Sequence, residues 1–288
     1  MKIPEIPNFG AFEYEDLIGS LVDGACIFYG AGVSRLAGYK LWKELAREIV
    51  QRFWMRQKKE RLFDPELLTY SLKEYLQKGA DEIEIINYMH SINDQVFVEE
   101  VRRIFHDDRQ RSTDTVYYYL SKLNNGNNVF VTTNIDVGFQ NYLGLSDEVV
   151  SIVPDFSNPP KLITYLHGNI ENEKSWILTG RHYHDNYYRE DATCMEFIKY
   201  IFANYTVIFI GYGLRDKEIL DGIRQIDQKR RHYWLESSYR SKESYLKVRS
   251  TSLREDYNIQ LVPYLIDCHD QDFLYQVLNG IYIQMANK

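Results

Sequence analysis

Apolar positions along the chain follow two rhythms. Compact runs rich in β-branched and aromatic residues, near 25–29, 128–133, 161–166, 206–211, 232–235 and 259–266, read as strands. The stretches between them carry apolar residues at helical spacing, and this alternation predicts an α/β fold with a largely parallel sheet. Residues 41–124 form one long helical stretch between the first two strands. It contains DPELLTYSLKEYLQKG, with Asp64 as N-cap, Pro65 in the first turn and Gly79 as stop. That length exceeds a single crossover, so a small helical lobe at 55–125 is expected within one domain spanning 1–288.

The less ordinary residues cluster where strands end. Gly30-Ala31-Gly32 follows the first strand, and Thr133-Asn134-Ile135-Asp136 the second. His167-Gly168 ends the third and Gly211-Tyr212-Gly213 the fourth. The carboxyl edge of an open parallel sheet is where ligands bind, because the strand-to-helix turns open there and helix amino termini present free N–H groups. Each motif also has a purely structural use. GAGVSRLAG has Arg35 where a dinucleotide fingerprint has glycine, and would serve as a tight turn before a helix capped by Ser34. FVTTNID places several hydrogen-bonding groups at one strand end, although a helix cap needs only one. Asp216 suits an N-cap as well as a ligand contact. His167, next to a glycine that permits close backbone approach, suits a general base or a ribose contact.

Composition narrows the chemistry. With 34 basic and 41 acidic residues the net charge is −7, which disfavours a direct nucleic-acid partner. Cys26, Cys194 and Cys268 are far apart and form no CxxC pair, and His182 and His184 lack an evident third ligand and are expected at the surface, so no metal site is expected. Pro4, Glu5 and Pro7 interrupt any apolar signal core and no long apolar run follows, so a cytoplasmic location and no membrane partner are expected.

The ordered set GAGVS at 30–34, TTNID at 132–136, HG at 167–168 and GYG at 211–213 resembles the NAD-binding domain of sirtuins. It is more similar still to the sirtuin-like NAD-hydrolysing domains of bacterial antiphage systems, the type paired with a HerA-like ATPase or a short Argonaute, or found in Thoeris. The resemblance implies a Rossmann-like, mostly parallel sheet flanked by helices and an NAD hydrolase with NAD as substrate. Asn134 and His167 would be catalytic: Asn134 would hold the ribose or the attacking water, and His167 would bond ribose hydroxyls or act as base. Gly30, Ala31, Gly32 and Ser34 would take the diphosphate, with Arg35 neutralising charge. Asp136 would accept from the carboxamide, Gly211 and Asp216 would flank the adenosine half, and Thr133 joins the same NAD-binding set. The two cysteine pairs of the deacylase zinc ribbon are missing here, and AGYKLW stands where deacylases carry proline-aspartate-phenylalanine-arginine. NAD hydrolysis is therefore expected rather than deacylation, with a non-catalytic NAD or ADP-ribose sensor as the alternative. Because unrestrained hydrolysis would exhaust a cell's NAD, the resemblance also implies a homo-oligomer controlled by a separate protein, a HerA-like ATPase ahead of a short Argonaute.

Overall fold

The computed structural model describes residues 15–60, 66, 81–111, 113–146, 150–151, 161–214, 216–227, 230–266 and 274–288. The helix expected from Asp64 to Gly79, apart from Glu66, lies outside these residues, as does Cys268. Seven strands form one sheet: β1 (Ala25–Tyr29), β2 (Val129–Thr132), β3 (Val150–Ser151), β4 (Ile163–Tyr165), β5 (Thr206–Ile210), β6 (His232–Ser238) and β7 (Ile259–Leu265). Their order is β3-β4-β2-β1-β5-β6-β7, and every pairing is parallel. The helices are α1 (Glu15–Asp23), α2 (Ala31–Ala37), α3 (Trp42–Glu60), α4 (Glu82–Ile92), α5 (Asp94–Arg111), α6 (Thr115–Ser121), α7 (Gly138–Leu143), α8 (Gly180–Tyr183), α9 (Thr193–Asn204), α10 (Lys217–Arg224), α11 (Glu243–Tyr257) and α12 (Leu274–Met285). The α/β, Rossmann-like arrangement is the one the sequence predicts.

Both faces of the sheet are covered, which explains why its central strands read as unbroken apolar runs. In β1, Ala25, Ile27 and Tyr29 join a core built with α1 to α7 and α12. Cys26 and Phe28 join a second core with α9, α10 and α11. The residues connecting β1 to β2 include α2 to α6. Asp81 opens α4 with a reciprocal cap: its carboxylate accepts from Glu84 N–H at 2.8 Å, and Glu84 accepts from Asp81 N–H at 3.1 Å. An ion network ties α3 to α5: Arg52 meets Glu48 at 2.8 Å and Asp107 at 2.7 Å, Arg56 meets Glu99 at 2.7 Å, and Lys40 bonds Asp108.

Strand limits differ from the sequence expectation for local reasons. Asn128 stands just before β2 because its side chain accepts from Ala25 N–H at 2.6 Å and donates to Leu21 O at 3.0 Å and Leu123 O at 2.7 Å. This side chain replaces a ladder bond with a clamp between α1, β1 and the end of α6. The β6 strand runs on through Glu236, Ser237 and Ser238, polar residues that pair in register with Pro263, Tyr264 and Leu265. The two-residue edge strand β3 pairs Val150 with Ile163 and Ser151 with Thr164, a span too short to show any periodicity.

Candidate functional site

Strand order reverses between β1 and β5, and the turns that leave these two strands pack backbone to backbone. Gly30 N–H donates to Ile210 O at 3.0 Å and Gly32 N–H donates to Gly211 O at 2.7 Å. A Cβ on Gly32 would lie 2.7 Å from Gly211 O, and one on Gly211, whose φ is +59°, would lie 2.6 Å from Val33 N. The glycines are thus required by close approach, and the amides of Gly30 and Gly32 are already satisfied inside the protein. Helix α2 begins at Ala31 with Gly30 as its N-cap, so Ser34 lies inside the helix instead of capping it.

Being one turn into α2 sends the Ser34 side chain under the end of β2. Its hydroxyl donates to Asp136 Oδ2 at 2.6 Å and accepts from Asn134 Nδ2 at 2.8 Å. Asp136 Oδ1 accepts from Gly138 N–H at 3.1 Å and from the Tyr117 hydroxyl at 3.3 Å. Asn134 N–H in turn donates to Thr132 Oγ1 at 3.0 Å. Ser34, Asn134, Asp136 and Tyr117 are all buried, Asn134 the least so at 9% exposure, while Thr133 beside them is half-buried. Burial pushes the Asp136 carboxyl up, against hydrogen bonds from Ser34, Gly138 and Tyr117 that favour its charge. Both Asp136 oxygens therefore already have protein donors, and its first effect is to orient Ser34 and, through it, the Asn134 amide.

The third strand end carries a different environment. Thr132 pairs with Tyr165, so Asn134 and His167 each lie two residues beyond a matched pair, and Ile170 N–H bonds Ile135 O at 2.7 Å between the two loops. Gly168, with φ +74°, turns the chain at once, and a Cβ there would meet Ser175 O at 2.2 Å. His167 is 4% exposed, not at an open edge, and packs edge-on against Tyr183 at 5.2 Å and Tyr187 at 5.9 Å between ring centroids. Its Nε2 lies 2.9 Å from the Tyr187 hydroxyl. Burial lowers the imidazole to about 4, with only a weak opposing pull from Glu218, so it is neutral at physiological pH.

The remaining predicted residues are arranged around these two groups. Tyr212 stacks on Phe209 at 5.5 Å and its hydroxyl bonds Asp216, whose backbone occupies the N-cap of α10 although its carboxylate makes no cap bond. Burial raises that carboxyl. Asp216 thus braces the Gly211-Tyr212 turn. Arg35 is exposed and lines a surface cavity of about 400 Å³ with Lys40, Glu44, Arg47 and Glu48, apart from the buried cluster. His184 is exposed as expected, but His182 is half-buried: its Nδ1 accepts from Leu178 N–H at 3.4 Å and its ring meets His90 of α4 at 5.9 Å. Among the described residues no group of three or more His, Cys, Asp or Glu is placed to hold a metal ion, and no helix is long and apolar enough to cross a membrane. Tyr117, Tyr183 and Tyr187 carry no distinguishing signal in the sequence, since aromatic residues on helices ordinarily signal core.

Residues 128–262 match the family model described as the SIR2-like domain, which supports a sirtuin-like domain in this chain and, with it, an NAD-related function. The matched segment includes Thr133, Asn134, Asp136, His167, Gly211 and Asp216; the Gly30–Arg35 turn precedes it. No curated protein matches the chain.

Proposed function

We propose that the protein is an NAD hydrolase that releases nicotinamide and ADP-ribose. The observation that carries this reading is the buried Asn134–Ser34–Asp136 chain set beside a neutral His167 at the next strand end. Nicotinamide leaves NAD as a neutral ring from a cationic glycosidic bond, so cleavage asks little of a general acid and much of orientation and desolvation. Asn134, fixed through Ser34 by the buried Asp136 carboxyl, suits holding a ribose hydroxyl or a water. His167, unprotonated because it is buried, suits taking the proton that the adding water releases. Asp136 acts through Ser34 in this scheme, and the Gly30–Ser34 turn supports the diphosphate chiefly by its shape, since the amides of Gly30, Gly32 and Val33 are engaged within the protein.

The test is to incubate purified protein with NAD and follow nicotinamide, with and without an acetylated peptide. Release without peptide is expected. Release only with peptide would make the protein a deacylase, and NAD binding without any release would make it a sensor. The wider role that the motif resemblance supports is depletion of cellular NAD in antiphage defence by an oligomer under a partner's control, the HerA-like ATPase before the short Argonaute. Light scattering of the protein alone and with a co-expressed neighbour checks it; a monomer fully active by itself would overturn it.

A further inference from the structure

Tyr187 belongs to a π-helical turn, His184–Tyr188, that continues directly from α8. Such turns are uncommon and collect at functional sites. Tyr183 and Tyr187 stack at 5.8 Å on this segment, and both pack against His167. With four residues in α8 and five in the π turn, the segment is too short to be stable unaided. Part of its support is internal: Thr179 Oγ1 accepts from His182 N–H at 3.3 Å, and Asn186 Nδ2 donates to His182 O at 2.8 Å. Further support comes from α4. Gly180 N–H, the first amide of α8, donates to Asn87 Oδ1 at 2.8 Å. One turn farther along α4, the His90 ring meets that of His182 at 5.9 Å and is itself held by Asp94, 2.9 Å from its Nε2.

This helix reaches both faces of the sheet. Its Ile86 and Met89 are buried in the core that contains Tyr117, while Ile83 packs against the core that contains Tyr183 and Tyr187. Ile83, Asn87 and His90, spaced i, i+4 and i+7, share one stripe of α4. An amide N–H can only donate, so Asn87 must turn its oxygen toward Gly180. We infer that Asn87 is a positioning residue for His167: it pins the start of the tyrosine-bearing turn and so keeps the aromatic wall closed on the imidazole. The inference rests on the hydrolase reading for its bearing on catalysis, while the wall can be followed without NAD. Without the Asn87 oxygen, Gly180 N–H must find water, the first turn of α8 frays, and the two rings packed on His167 loosen. Water then reaches an imidazole that burial holds at about 4, and protonation becomes easier.

Nitrogen-15 NMR on histidine-labelled protein follows the titration of His167, with His167→Gln assigning the signal. The wild type is expected to titrate at about 4, and Asn87→Leu at least about one unit higher. The titratable groups around the ring are Tyr183 and Tyr187, Cys194 donating to the neighbouring Leu166 O at 3.4 Å, and Glu218 acting through space. Asn87→Leu changes none of these charges, so a moved titration reports water at the ring. In NAD cleavage at neutral pH Asn87→Leu should lower kcat about tenfold with little change in KM, because a displaced base loses more in the transition state than in binding. Asn87→Asp keeps the accepting oxygen and should restore kcat to within about twofold. An Asn87→Leu protein whose His167 titration is unmoved would overturn the inference whatever its stability in urea, and so would an unchanged kcat in an active enzyme or an Asn87→Asp protein as slow as Asn87→Leu. Should Asn87→Leu fail to fold, Asn87→Ala decides by the same readouts. If the wild type cleaves no NAD, the hydrolase reading falls and the titration alone judges the role of Asn87.

Discussion

The surroundings of Asn134 and of His167 differ although both residues end adjacent strands. Around Asn134 the polar groups answer one another: Ser34, Asp136, Tyr117 and Gly138 N–H form a chain in which each donor has an acceptor. Around His167 the walls are aromatic, Tyr183 and Tyr187 packing on its ring and the Tyr187 phenol hydrogen-bonding its Nε2. The first environment fixes geometry; the second fixes protonation. Tyr117 packs in the core on one face of the sheet, and Tyr183 and Tyr187 pack in the core on the other. The sheet thus lets a polar, precise environment and a dry, basicity-setting one meet at one edge without either compromising the other.

Removing either partner breaks the contrast most sharply. Asn134→Ala is expected to lower NAD cleavage about a thousandfold, comparable to losing a preorganised donor, with far-UV circular dichroism unchanged. His167→Ala should lower it at least about a hundredfold, the range for a lost general base. Retention of most activity by either variant would remove that residue from the scheme.

Ser34→Ala sharpens the comparison, because it cuts the bridge while leaving Asn134 and Asp136 in place. A buried carboxylate without its donor should cost about 2 kcal/mol in urea unfolding, and kcat should fall about tenfold. His167→Phe, by contrast, keeps a ring in the aromatic box but leaves the buried Tyr187 hydroxyl without His167 Nε2, so it should cost about 1–2 kcal/mol while abolishing activity.

The two environments also part company in acid. His167 and His232 are both buried and held near 4, below the ordinary histidine value of 6.5. An unfolded chain takes up their protons first, so the stability they contribute is full above about pH 6.5 and is lost as pH falls toward 4, by up to about 3 kcal/mol for each group. Asp136 and Asp216, whose carboxyls are raised, act in the opposite sense: they favour the folded state as pH falls. Melting temperatures of the wild type and of His232→Gln between pH 7 and 4.5 should diverge, the variant losing less. Parallel curves would show that His232 carries no such shift. The smallest effect belongs to the exposed Tyr188–Glu218 bond of 2.8 Å, where Tyr188→Phe should change stability by less than about 0.5 kcal/mol.

Much of the sheet, and the polar end of its second strand, is legible in the sequence. Strands announced themselves because burial on both faces leaves no polar positions to break the runs, and TTNID stood out because polar groups collected where a buried strand stopped. What escaped detection had no local signature. Tyr117 and Tyr187 look like core aromatics until their hydroxyls are found facing Asp136 and His167. Ser34 reads as a helix cap, and only the close approach of the Gly30–Gly32 and Gly211 turns fixes the start of α2 and sends its side chain to Asp136. The polar end of β6 is a strand because β7 pairs with it, a fact no window of β6 alone contains.

The central position of β1 also bears on how the molecule is made. One neighbour, β2, begins at Val129, but the other, β5, pairs Ala25 with Thr206 and is translated much later. A ribosome that has reached only the end of β4 has therefore released a first strand with one unpaired edge and an incomplete second core. Parallel pairing across such sequence distances delays folding and leaves strand edges open to wrong partners. For this chain the vulnerable interval in synthesis closes only when the Thr206–Ile210 segment emerges, so truncations before that point should aggregate while the full-length protein folds.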